Sequence, residues 1–166
     1  MAKKSFSHIS VGDVTDECGL ARQTFYYHFK DKYDLMNWIC YTETTRFLSS
    51  CKNLETWTDG LKDLCMYMKD NKVFYTNALH TQGQGSFPDY LHDYVTDIAV
   101  AMIEKKSGRK FDEKKWGFSV EFFVTAFVGL IVKWADNGME EDPEKYLDQI
   151  KKVFDGSLLK ELDDSE

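Results

Sequence analysis

Residues 22–28 read Arg-Gln-Thr-Phe-Tyr-Tyr-His, and their types and spacing concentrate hydrogen-bonding chemistry in two helical turns. Arginine can bond guanine bidentately, glutamine can read adenine, and tyrosine can donate to a phosphate or pack on a thymine methyl. At helical spacing Phe25 turns inward, while Arg22, Gln23, Tyr26, Tyr27 and His28 face outward. Nothing else in the chain competes as chemistry. No serine, histidine and acid, and no paired carboxylates, stand in a catalytic arrangement, so no enzyme is expected. Cys18, Cys40, Cys51 and Cys65 form no C-x-x-C pair, and His80 and His92 stand twelve apart with nothing at ligand spacing, so neither metal nor cofactor is expected. The segment 81–86, Thr-Gln-Gly-Gln-Gly-Ser, lacks a phosphate-loop lysine and reads as an interhelical loop.

A short reading helix needs a second helix behind it. Ser10 is suited to cap a helix over 11–18, Gly19 supplies a left-handed break, and the reading helix then runs from about 22 to 29. Together they form a helix-turn-helix over 11–28, with Val11, Val14, Cys18, Leu20 and Phe25 as its expected small core. Asp31, with Asp34 three residues on, caps a longer connector whose apolar side includes Tyr33, Leu35, Met36, Ile39, Cys40, Phe47 and Leu48. Further helical periodicity covers 54–70, 73–81, 87–106, 113–137 and 142–154, broken by Gly83, Gly85, Gly108 and Gly138. The fold class is therefore all-α, with a DNA-binding domain over 1–38 and a helical body over 39–166.

Charge sets a constraint on that reading. Among 166 residues, 21 Lys and Arg face 28 Asp and Glu, and a net charge of -7 taken as a whole repels a polyanion. The average hides two unlike parts: residues 1–38 hold five basic and five acidic side chains, and the remainder carries the whole excess. A neutral head on an acidic body predicts modest, strongly salt-dependent DNA affinity. The apolar run 118–132 is broken by Ser119, Glu121 and Thr125 and falls short of the roughly 20 residues that span a bilayer, so no membrane partner is expected. Without a basic segment leading an apolar one at the N-terminus, the thiols are expected in a reducing cytoplasm.

The string 24–35, Thr-Phe-Tyr-Tyr-His-Phe-Lys-Asp-Lys-Tyr-Asp-Leu, resembles the DNA-binding domain of the TetR-type bacterial transcription regulators. With Arg22-Gln23 before it and Asn37-Trp38-Ile39 after it, it is similar to the branch that regulates dihydroxyacetone kinase operons. The likeness is specific over 9–39. It implies that Thr24 contacts phosphate, that Tyr26 and Tyr27 lie at the groove, and that Lys32 grips the DNA backbone. Two departures stand out. Only eight residues precede Ile9, too few for the family's full first helix, which would leave Val14, Phe25 and Phe29 poorly covered. Ala21 stands where the family commonly has a capping side chain, a difference of about 1 kcal/mol at the helix start.

The body suggests how such a head is used. The helix over 113–137 carries one stripe of Trp116, Val120, Phe123, Val124, Phe127, Ile131 and Trp134, and another of Phe118, Phe122, Ala126 and Gly129. Apolar on two sides, it is expected to bury one against its own core and the other against a second copy, with Tyr146, Leu147, Ile150, Val153 and Phe154 completing a four-helix homodimer interface. The resemblance implies the same pairing through the last two long helices. Two copies would read a near-palindromic double-stranded operator. Tyr67, Phe74, Tyr75, His80, Tyr94, Glu121 and Phe122 are the candidate lining of a small-molecule effector site, and the branch resemblance implies a coregulator protein as the other possible input. A second reading is a helical interaction module that has lost autonomous DNA binding along with its first helix.

Overall fold

A computed structural model describes residues 6–48, 57–81 and 86–154, and every regular element among them is helical. After one 3-10 turn at Phe6–His8 come α1 (Val11–Cys18), α2 (Arg22–His28), α3 (Lys32–Leu48), α4 (Trp57–Asp70), α5 (Lys72–Leu79), α6 (Phe87–Ser107), α7 (Glu113–Asp136) and α8 (Pro143–Phe154). The caps explain most of these boundaries. Ser10 Oγ accepts from the Asp13 amide at 3.1 Å while the Asp13 carboxylate accepts from the Ser10 amide at 2.8 Å, a reciprocal capping box at the start of α1. Gly19 ends α1 at φ 64°, and Leu20 N–H donates to Thr15 O at 2.8 Å, closing a Schellman turn. Asp31 Oδ1 takes the amides of Tyr33 and Asp34 at the start of α3. Ala21, in contrast, makes no side-chain cap bond to α2.

The body is built around α5 and α7. α6 packs along α7, α4 lies between α3 and α8, and α5 touches α3, α4, α6 and α7. Trp134, Tyr75, Phe87, Met36, Met68 and Met139 are the largest side chains almost wholly removed from water, each worth about 1.5–3 kcal/mol of burial. Met36 and Cys40 place α3 in this same core, so the connector passes position 38 as one unbroken helix. The α7 helix is apolar and long enough to cross a membrane by composition, with a mean hydropathy of 1.6 over 18 residues. It instead buries Val120, Val124, Phe127, Val128, Ile131, Trp134 and Ala135 in the body.

Three sequence expectations need correction. In the head, Cys18 and Leu20 are exposed, and Gly12 and Thr15 are buried in their place. The left-handed turn at Gly19 carries Leu20 outward, and Thr15 is accommodated because its hydroxyl donates to Gly12 O at 3.1 Å. Phe25 is well covered, only 7% exposed, with its ring 5.7 Å from Phe29; Val14 and Phe29 are half-buried. Residues 1–5, on which the question of the first helix also turns, lie outside the described residues. Finally, α8 spends its apolar face within its own chain: Leu147 and Ile150 are buried in the core where α8 packs on α4, and Tyr146 stacks on Trp134 and donates to Leu130 O at 2.6 Å. Val153 remains exposed, and the side chain of Phe154 lies outside the described residues.

Candidate nucleic-acid interface

The second helix of the head, α2, owes its exposure to its length and its single anchor. Of seven residues only Phe25 is buried, and Arg22, Gln23, Thr24, Tyr26, Tyr27 and His28 are all exposed, Tyr27 at 85%. The Tyr27 and His28 rings meet edge to face at 5.0 Å, and Tyr26 meets Phe25 at 5.5 Å, so the aromatics are ordered by one another. Six adjacent polar or amphipathic side chains, with no carboxylate among them, make a surface able to enter a DNA groove.

Three of the head's five acidic side chains are turned to other work. Asp13 is held in the Ser10 cap, Asp31 caps α3, and Asp34 Oδ2 accepts from the Lys30 amide at 2.9 Å. Their charge is thereby engaged with backbone N–H groups beside α2. Arg22 lies over α1 at Gly12, where an added Cβ would overlap its guanidinium. The sequence reading missed this role of Gly12 in making room for Arg22, although a glycine inside a short helix, where it costs about 1 kcal/mol against alanine, is the signal that could have found it.

Lys32 is placed differently from what the resemblance implies. Its ammonium donates to the carbonyls of Phe6, Ser7 and Ile9 at 2.9, 2.9 and 2.8 Å, and it lies 5.0 Å from the Phe6 ring centroid and 5.3 Å from that of Tyr33. All three N–H groups are used. Lys32 thus clamps the 3-10 turn onto α3, and Phe6 meets Tyr33 edge-on at 5.2 Å beneath it.

The seven candidate effector residues are not gathered around one space. Tyr75 is fully buried and donates to Glu43 Oε2 at 3.0 Å; burial first, and then that bond, push its phenol pKa upward. Tyr67 and Phe74 pack on Tyr75, with centroids at 5.9 and 5.2 Å, so these three form the joint between α3, α4 and α5. His80 is half-exposed and pairs with Asp136 at 2.6 Å. Tyr94 sits beside Tyr90, Glu121 faces His92 at 3.4 Å, and Phe122 is 60% exposed on the outer side of α7. Inside the body, the space between Leu61, Leu64, Cys65, Met68, Leu91, Val95, Phe127 and Ile131 amounts to about 10 Å³, too little for a metabolite. Burial pushes the thiols of Cys40 and Cys65 up to about 12. Among the described residues no group of three or more His, Cys, Asp or Glu could hold a metal ion.

Comparison with known proteins agrees with this arrangement. A curated relative, the HTH-type dhaKLM operon transcriptional activator DhaS of Lactococcus lactis subsp. lactis (strain IL1403), is 28% identical over 75 residues. That alignment takes in 45% of this chain and 40% of the relative, so the match spans less than half of its length. A solved structure described as the dihydroxyacetone kinase operon activator DhaS shares the fold, with a TM-score of 0.66 over 93% of this chain and 86% of that one at 21% identity. Residues 55–156 match a transcriptional regulator C-terminal region, and residues 1–38 match the bacterial regulatory proteins of the tetR family. With most of its length so matched, behind a helix-turn-helix that holds six side chains of α2 in the open, the chain belongs to the tetR family of bacterial transcriptional regulators.

Proposed function

We propose that the protein acts in the cytoplasm as a homodimer that binds a near-palindromic DNA operator and changes its affinity in response to an effector or coregulator. The observation that carries this reading is α2 itself: one buried anchor, Phe25, beneath six exposed side chains suited to base edges and phosphates. Arg22, Gln23, Tyr26, Tyr27 and His28 are its readers, and Thr24 is a phosphate contact.

Dimerisation is supported by the outer face of α7. Phe118 is 85% and Phe122 60% exposed, and a Cβ at Gly129 would meet nothing within 4 Å, so a second helix has room to approach. In this pairing α7 supplies the apolar contact, and α8 adds mainly its polar outer face and Val153. Two recognition helices then reach major-groove faces about 34–36 Å apart, or a multiple of that.

The test is binding to the DNA upstream of the protein's own gene, and upstream of any dihydroxyacetone kinase genes, as salt is varied. A site-selective complex weakened by Tyr26→Ala and by Arg22→Ala is the expected result. Equal, weak binding by the wild type and both variants would leave the interaction-module reading standing instead.

A further inference from the structure

We propose that the groove between α3 and α6 is a binding site for a small organic cation with an apolar body. The groove holds about 630 Å³, within the range of small-molecule sites, and its walls come from two helices some fifty residues apart in sequence. From α3 it takes Asp34, Trp38 and Tyr41; from α6 it takes Asp89, Tyr90 and Asp93. Trp38 and Tyr41 are each 54% exposed and present aromatic surface to the groove. Tyr41 meets Tyr90 edge to face at 5.1 Å, and the Tyr90 hydroxyl lies 3.2 Å from Thr45 Oγ1, so the aromatic wall is fixed across the α3–α6 joint.

Charge selects the ligand class. No lysine or arginine lines the groove, and His92 is its one basic side chain. The Asp89 carboxylate makes no hydrogen bond or ion pair among the described residues, and Asp93 has only its neighbour His92, at 4.0 Å. Asp89 and Asp93 stand four residues apart on α6, like charges on one face whose mutual repulsion a bound cation would relieve. Exposed aromatic faces flanked by carboxylates attract a cation through ring quadrupole and Coulomb terms together, whereas an anion of equal size is repelled.

Such a ligand would bridge the connector to the body beside the turn that carries α2, since Asp34 holds the Lys30 amide and the Trp38 ring lies 5.7 Å from Phe29. Its effect on DNA binding rests on the regulator reading above; the site itself does not.

Tetraphenylphosphonium and tetraphenylborate, matched in shape and opposite in charge, are the probes, titrated calorimetrically into the intact protein without DNA. The phosphonium is expected to bind one per chain. Asp89→Asn/Asp93→Asn and, separately, Trp38→Leu should each weaken it about tenfold or more, and the borate should not bind. Thermal melts check that each variant is folded, and the exposed aspartates keep the test valid if Trp38→Leu is not. No binding up to millimolar phosphonium, binding that survives the aspartate variant, or equal binding of the borate would each overturn the proposal. So would a tri-arginine peptide binding ten times tighter than the phosphonium, since a basic protein segment would then be the occupant. A separate titration against operator DNA reads the coupling: saturation of the groove with unchanged DNA affinity refutes the regulatory consequence alone.

Discussion

Replacing Lys32 by methionine separates two roles that one lysine could hold, a DNA phosphate contact or an internal clamp. Methionine keeps much of the apolar stem and removes all three donors. A hydrogen bond to a charged group contributes about 1.5–3 kcal/mol net, but the three share one ammonium, and the exposed Ser7 carbonyl regains water when the donor leaves. The carbonyls of Phe6 and Ile9 sit in part-buried bonds and lose more. The expected cost is therefore about 2–4 kcal/mol, several times that of an ordinary surface change. For a chain of this size it corresponds to a fall in Tm of roughly 5–15 °C. Circular-dichroism melts measure it, and operator binding over a range of salt, at a temperature where both proteins are folded, supplies the contrast. Loss of a phosphate ligand would lower the slope of log affinity against log salt by about 0.9, whereas loss of an internal clamp leaves that slope unchanged. An unaltered Tm together with a slope reduced by about one unit would refute the clamp.

Other outcomes follow from the same geometry. Gly12→Ala should leave Tm near the wild-type value, since the helix gains about 1 kcal/mol of propensity, but it displaces the Arg22 guanidinium. In a double-mutant cycle for operator affinity, Gly12→Ala should then add little to Arg22→Ala, and full additivity would show that the two residues act independently. Phe118→Glu with Phe122→Glu removes four rings from a two-fold interface at about 1.5 kcal/mol each, enough to weaken dimerisation by more than about a thousandfold in sedimentation equilibrium. Because both rings are exposed in the single chain, the monomer should stay folded. At high pH, Cys40 and Cys65 remain protonated in the native state up to about 12, while the unfolded chain releases those protons from about their ordinary 9.0. Stability is therefore complete below pH 9 and falls through the window from 9 to 12, at about 1.4 kcal/mol per pH unit for each thiol. Urea unfolding at pH 8 and pH 10 measures the difference, and equal stability at the two would contradict the burial argument.

Helix positions were legible because their ends are written in short-range chemistry. Ser10, Gly19, Asp31 and Gly108 mark starts and stops that depend on at most a few neighbouring residues. The outward set on α2 was legible for the same reason, since one inward phenylalanine in seven residues fixes every other direction. What depended on distant partners was not. Lys32 reaches carbonyls 23 to 26 residues away, a contact no spacing rule contains. Leu20 looks like core by type, and Thr15 does not, yet a left-handed glycine and one hydroxyl hydrogen bond exchange their places. The effector candidates are dispersed because aromatic type carries no address: Tyr75 lies in the core, Tyr67 at a joint and Phe122 on an outer face. The α3–α6 groove was invisible because its halves are aligned only once the bundle is assembled.

The core contacts of the connector leave its head end only a short arm. Met36 is the first α3 residue to enter the core, four residues from Lys32, so the arm between this anchor and the start of the helix is about 6 Å long. A bend of about 10° there moves the start of α3 by about 1 Å, and two-fold symmetry in the proposed dimer can double it to about 2 Å between recognition helices. Against a required spacing of about 34–36 Å that is a small change. In the proposed dimer, a larger change of spacing therefore requires α3 to move as one piece with its core contacts rather than to hinge within itself.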